Sequence, residues 1–173
     1  MKKLIPALAL IPALAFGADK SPDQSFYDEA AQGGMAEVEL GKVAQERASN
    51  DAVKQFAQRM VADHGKSNEE LKSLASGKGV SLPGALDKQH AAHSEKMQRL
   101  KGPDFDREYM KMMVDDHKKT VADFQKAAKG ARDGEVKGFA SKTLPTLQEH
   151  LKLAQSTQSQ LKGSSAGKDR AKQ

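Results

Sequence analysis

Cysteine is absent from the chain of 173 residues. Disulfides, thiolate metal sites, cysteine nucleophiles and a lipid-modified N-terminal cysteine are therefore excluded. Tryptophan is also absent and aromatic residues make up only 5%, whereas Ala and Lys dominate and Leu and Gln are frequent. That balance favours packed helices over a sheet. No glycine-rich phosphate loop, nucleophile elbow or nucleotide fingerprint occurs, and no reaction is indicated. The body also lacks an excess of positive charge. The formal charge is +5, but Lys2 and Lys3 supply two of it, and Lys162, Lys168, Arg170 and Lys172 against Asp169 supply the other three. A neutral, mixed-charge body with few aromatics is a poor nucleic-acid surface, so no nucleic-acid partner is expected.

What is present is enough for one core: 38% of residues are hydrophobic, and the length suits a single domain. Residues 1–18 read as a secretory signal, with Lys2-Lys3 as the charged region, an apolar run of 13 residues from Leu4 to Phe16, and small residues at Ala15, Gly17 and Ala18. The run is shorter than the roughly 20 residues a membrane span needs, and Pro6 and Pro12 interrupt it. Cleavage near Ala15 to Ala18 predicts an exported protein, periplasmic or secreted, that does not span the membrane.

Residues 22–161 read as helical. A first helix opens at Ser21-Pro22-Asp23-Gln24 as a capping box, with the stripe Phe26, Ala30, Gly33, Glu37, Leu40, Ala44. Gly33-Gly34 costs this helix roughly 1 kcal/mol per Gly relative to Ala, which implies close packing there. Asn50-Asp51 caps a second helix that runs to about Ser76, with Val53, Ala57, Met60, His64, Ser67, Leu71 and Leu74 on one face. Residues 77–102 form a connection that carries a short helix from Leu86 to Leu100, with His90, His93 and Met97 on one side. A third long helix spans about Asp104 to Lys129, striped by Met110, Val114, His117, Val121, Phe124 and Ala128. A fourth spans Asp133 to Leu161, striped by Val136, Ala140, Thr143, Leu147, His150, Ala154, Thr157 and Leu161. Pro145 predicts a kink in it. Residues 162–173 read as a disordered basic tail.

The long helices each reach about 35–40 Å. Tight links within each pair and a long connection between them predict a ferritin-like four-helix bundle, all-α, with a crossover carrying the short extra helix. The middle two long helices then run parallel. That direction gives meaning to an internal repeat: Met60-Val61-Ala62-Asp63-His64 returns as Met113-Val114-Asp115-Asp116-His117. Parallel helices set the two Asp-His pairs at similar depth.

Several spaced segments carry a family resemblance: FYDEAAQGGMAEVELGKVA from Phe26, VKQFAQRMVADH, FDREYMKMMVDDH and FASKTLPTLQEHLKLAQ. Together they resemble the exported bacterial family catalogued as domain of unknown function 4142, over about residues 25–160. The resemblance implies a helical bundle of ferritin-like type in the periplasm or at the envelope, and it implies no established activity.

Each long helix places one titratable group on its inward stripe: Glu37, His64, His117 and His150. Burying such groups costs energy unless they are hydrogen-bonded or bind a cation. Neutral imidazole with a carboxylate suits copper, iron or zinc, and Asp63 and Asp116 are placed to orient an imidazole from behind. At the edge of its stripe, Glu37 would instead reach solvent. The di-iron pattern Glu-x-x-His is missing, because Val61, Val114 and Leu147 stand three residues before the histidines. Only Asp87-x-x-His90, in the connection, comes near it. The pairs Met60/His64, Met113/His117 and His93/Met97 would suit copper, although Met on a helical stripe is ordinary core filling. Two function classes follow. One is an exported non-catalytic, stress-associated bundle protein acting on an unknown envelope partner. The alternative is a metal-binding ferritin-like protein with a core site at Glu37, His64, His117 and His150.

Overall fold

The computed structural model describes residues 23–170, with side chains placed to residue 163. The expected signal segment and Ser21-Pro22 lie outside the described residues. Five helices follow in order: α1 Gln24–Arg47, α2 Asp51–Gly77, α3 Lys88–Gln98, α4 Gly102–Gly130 and α5 Gly134–Arg170.

Two apolar clusters fix the helix directions. One joins the end of α1 (Ala44), the starts of α2 and α4 (Val53, Phe56, Phe105, Tyr109) and the late part of α5 (Ala154). The other joins the start of α1 (Tyr27, Ala31), the ends of α2 and α4 (Leu71, Ala75, Phe124, Ala127) and the start of α5 (Val136, Ala140). Helices α2 and α4 therefore run parallel, and α1 and α5 run opposite to both. Helix α1 packs beside α2 and α4, and α5 packs beside α4 and α2. This is a ferritin-like four-helix bundle with a crossover, as expected. Helix α3, within the crossover, lies against α1 and α4.

Local chemistry sets the helix ends. The Asn50 side chain accepts from Ala52 N at 2.9 Å and from Val53 N, capping α2. Asp133 accepts from Glu135 N at 2.7 Å and opens α5. Helix α2 stops through Gly79, whose φ of +65° is cheap only without a Cβ, with Val80 N bonding back to Ala75 O at 2.9 Å. Asp23 occupies the N-cap position of α1 yet does not cap it. Its carboxylate accepts from Arg132 N and Asp133 N instead, in the α4–α5 turn. Asp106 does the converse from α4, accepting from Ser49 N at 3.0 Å, Ser49 Oγ at 2.6 Å and Asn50 N at 3.1 Å in the α1–α2 turn. Each hairpin thus holds the other's turn.

Several expected details differ. In the first half of α1 the buried residues are Tyr27, Ala31 and Gly34, while Phe26, Ala30 and Gly33 are half-buried. Close packing belongs to Gly34 against Asn68, and to Gly41 against Val61 and the Ala57 carbonyl; space is open at Gly33. Helix α3 is shorter than expected because Asp87 caps it, accepting from His90 N at 2.9 Å. The Asp87-x-x-His90 spacing is thus a helix cap, with His90 Nδ1 also 2.9 Å from Asp87. Helix α5 passes through Pro145 and on to Arg170, beyond the expected end at Leu161. No proline follows Leu161 to stop it.

Candidate functional site

Between the two apolar clusters lies a polar layer to which all four long helices contribute. His64 on α2, His117 on α4 and His150 on α5 are 7%, 1% and 1% exposed, and Glu37 on α1 is 6% exposed. The imidazole centroids form a near-regular triangle: His64–His117 5.6 Å, His64–His150 5.3 Å and His117–His150 5.5 Å. One ring nitrogen from each lies within 4.8 Å of the others. The repeat explains the level placement of His64 and His117, since α2 and α4 are parallel and diagonal.

Two of the three tautomers follow from their partners. His117 Nδ1 lies 2.9 Å from the Met113 carbonyl, which can only accept, so Nδ1 carries the proton and Nε2 the lone pair. His150 Nε2 lies 2.8 Å from Asp63 Oδ2, so it donates to the carboxylate and leaves the lone pair on Nδ1. His117 Nε2, His150 Nδ1 and His64 Nε2 are buried with no hydrogen-bond partner. These are the atoms a cation would take. Arg59 braces Asp63 at 3.3 Å and is itself held by Glu149 at 2.9 Å.

Burial disfavours charge throughout the layer. Burial, reinforced by His117 and His150, lowers His64 to about 3. Burial, with His150, lowers His117 to about 4. His150 is lowered by burial against the opposing pull of Asp63. Burial, with Asp116 nearby, pushes the Glu37 carboxyl well above its ordinary value. His117 Nδ1 and Glu37 Oε1 are 3.4 Å apart, but the imidazole is neutral at pH 7, so this contact is not an ion pair. For Asp63 burial works upward, yet the bonds from His150 and Arg59 outweigh it and hold the carboxylate ionised.

The structure thus brings Glu37, His64, His117 and His150 together, with Asp63 behind His150. Asp116 is different: no hydrogen bond joins it to the three imidazoles, and the histidines that act on it are His93 and His90 of α3. Met60, Met113 and Met97 are fully buried in the lower apolar cluster as core filling. The Met113 carbonyl and the Arg59–Glu149 brace were not singled out from sequence. The i,i+4 spacing of Arg59 and Asp63 was a local signal for one bond, whereas the partners on α5 have none. A cavity of ≈ 710 Å³ opens beside the layer, bordered by Glu37, His64, His150 and Asp116 below and by Phe26 and Phe139 above.

Known proteins place this architecture. A family model described as "Domain of unknown function (DUF4142)" matches residues 12–157. No curated protein matches the chain. Among solved structures, a DUF305 protein from Streptomyces coelicolor, described as secreted, is similar at a TM-score of 0.65 and 15% identity, covering 78% of this chain and 90% of that one. A DUF305 fragment from Deinococcus radiodurans gives 0.69 at 14% identity, covering 82% and 98%. CopM in its Cu(I)-bound form gives 0.64 at 15%, covering 78% and 93%. At these identities the likeness is one of fold.

Proposed function

Because this chain belongs to the DUF4142 family, whose description assigns no activity, we propose a function from its core: an exported, non-catalytic bundle that holds one transition-metal ion between His64, His117 and His150, with Glu37 alongside. The observation that carries this reading is the set of three buried ring nitrogens without partners, brought to one place from three helices. Leaving such groups unsatisfied costs about 1–3 kcal/mol each, a penalty that a shared cation removes. Ligand bonds of about 2.0–2.1 Å require the nitrogens to draw about 1 Å closer than 4.8 Å, within reach of side-chain rotation.

Imidazole ligands suit copper, zinc, iron and nickel. Three neutral rings leave Cu(I) with one net charge in a buried layer and a divalent ion with two, which favours Cu(I) on desolvation grounds. The fold shared with a Cu(I)-bound protein is consistent with that choice. Asp63 and the Met113 carbonyl would orient His150 and His117, as partners behind metal-bound imidazoles do.

Metal analysis of mature protein purified without chelator should find about one ion per chain. His64→Ala should abolish it and lower thermal stability only when metal is present. If the layer instead acts as a metal-free polar core, the same change should cost about 1–3 kcal/mol with or without metal. Export is tested by intact mass from the envelope fraction: retention of residues 1–16 would overturn it.

A further inference from the structure

An ion bound among His64, His117 and His150 must pass from solvent into a layer whose rings are 1–7% exposed. The α2–α5 side is guarded by the Arg59 guanidinium, which bonds both Asp63 and Glu149 and repels a cation. The α1–α4 side is different. Here α3 lies over the groove, pinned by buried Met97 and by the bond from Ser94 to Glu39. His90 and His93 of α3 are half-buried and border the same cavity as Asp116, Glu37, His64 and His150. Asp116 and His93 also border a smaller cavity of ≈ 250 Å³ beneath α3. Glu37 lies between this mouth and the imidazoles, more than nine-tenths buried, with Oε2 unpartnered. One turn before it on α1, Gly33 leaves the passage open, with nothing within 4 Å of where a Cβ would stand.

The geometry points to an ion-entry port at the α1–α3–α4 junction, where His90, His93 and Asp116 capture a transition-metal cation and Glu37 passes it to the buried imidazoles. This rests on the metal reading above. The port is a station rather than a second storage site, because among the described residues only the His64–His117–His150 donors close on one another. Open donors bind weakly and release quickly, as transfer requires. The same residues account for two otherwise idle features: His93 on the crossover helix, and a half-buried Asp116 that braces none of the three core imidazoles.

Co²⁺ alone serves as the probe, with loading followed by its d–d absorption and release by challenge with excess EDTA. His93→Ala/Asp116→Asn should slow loading and release together, each by about tenfold or more, while Kd stays within about threefold of wild type. Gly33→Phe should have the same kinetic effect by obstruction, without removing a donor. Circular dichroism checks folding, and His93→Gln/Asp116→Asn replaces the first variant if that one unfolds. Unchanged rates in the pair variant overturn the port, as does a loss of Kd as deep as that of His64→Ala, which would make these residues ligands. If His64→Ala binds Co²⁺ like wild type, or if wild type binds none, the buried site itself fails, and the port with it.

Discussion

His64, His117 and His150 are held neutral by burial, the first two also by neighbouring imidazoles, and this sets how the metal-free protein responds to acid. Unfolded imidazoles take up protons below about 6.5, whereas His64 and His117 in the fold resist until about 3 and 4. Between these limits the unfolded chain binds more protons, so stability falls as pH falls. Glu37 opposes this, because its raised folded value keeps a proton that the unfolded chain loses, a contribution lost as pH rises through that folded value. His64 and His117 stay neutral in the fold well below the pH at which unfolded imidazoles protonate, so they set a positive slope of stability against pH between about 4.5 and 6. Urea unfolding across pH 4.5–7.5 should show that slope below pH 6, a maximum near neutrality and no such slope in a His64→Ala/His117→Ala variant. Asp63→Asn removes the carboxylate that fixes His150 Nε2–H and should weaken metal binding about 10–100-fold in chelator competition. The histidines were legible in the sequence as members of apolar stripes. That Asp63 serves His150, 87 positions away, was not, because nothing local links them.

The helices owe their close approach to particular glycines, and these differ in ways the sequence alone does not separate. A Cβ at Gly41 would stand 2.8 Å from Val61 Cγ2 and 3.1 Å from the Ala57 carbonyl, a backbone atom that cannot yield. Gly41→Ala should therefore destabilise by about 1–3 kcal/mol despite its better helix propensity. At Gly34 the obstacle is the end of the Asn68 side chain, which can swing aside, so the cost should be smaller. Gly33→Ala meets nothing and should stabilise by about 0.5–1 kcal/mol. Chemical denaturation of the three variants checks the order. The Gly33-Gly34 pair signalled close packing, but only the helix azimuth decides which of the two touches α2. The same holds for Asp106, fully buried in α4, which bonds the α1–α2 turn three times. Asp106→Ala strands two backbone N–H groups and should cost about 3 kcal/mol, a fall in Tm of about 6–12 °C.

At the scale of the whole molecule, the hairpins α1–α2 and α4–α5 are joined through the polar layer as well as through the two apolar clusters. An ion held by α2, α4 and α5 would tie both hairpins, so it should raise the stability of the bundle as a unit. Free metal at 100 times Kd adds about 2.7 kcal/mol, or about 5–10 °C in Tm for a chain of this size. Calorimetry with and without Cu(I) should show that shift in wild type and none in His150→Ala.

The sequence by itself determined the helical class, the four long elements, the crossover and the inward stripes that carry His64, His117 and His150, because apolar periodicity and chain connectivity are local and one-dimensional. The same connectivity made α2 and α4 parallel, which sets the two Met-Val-x-Asp-His copies at one depth. Only the tertiary structure decided which tautomers His117 and His150 adopt, that Asp63 turns to α5 while Asp116 turns to α3, and that Asp23 and Asp106 reach across to the opposite hairpin's turn. Each of these depends on the rotation of one helix about its axis relative to another. That rotation is fixed by side-chain packing summed over the whole interface, to which no short stretch of sequence has access.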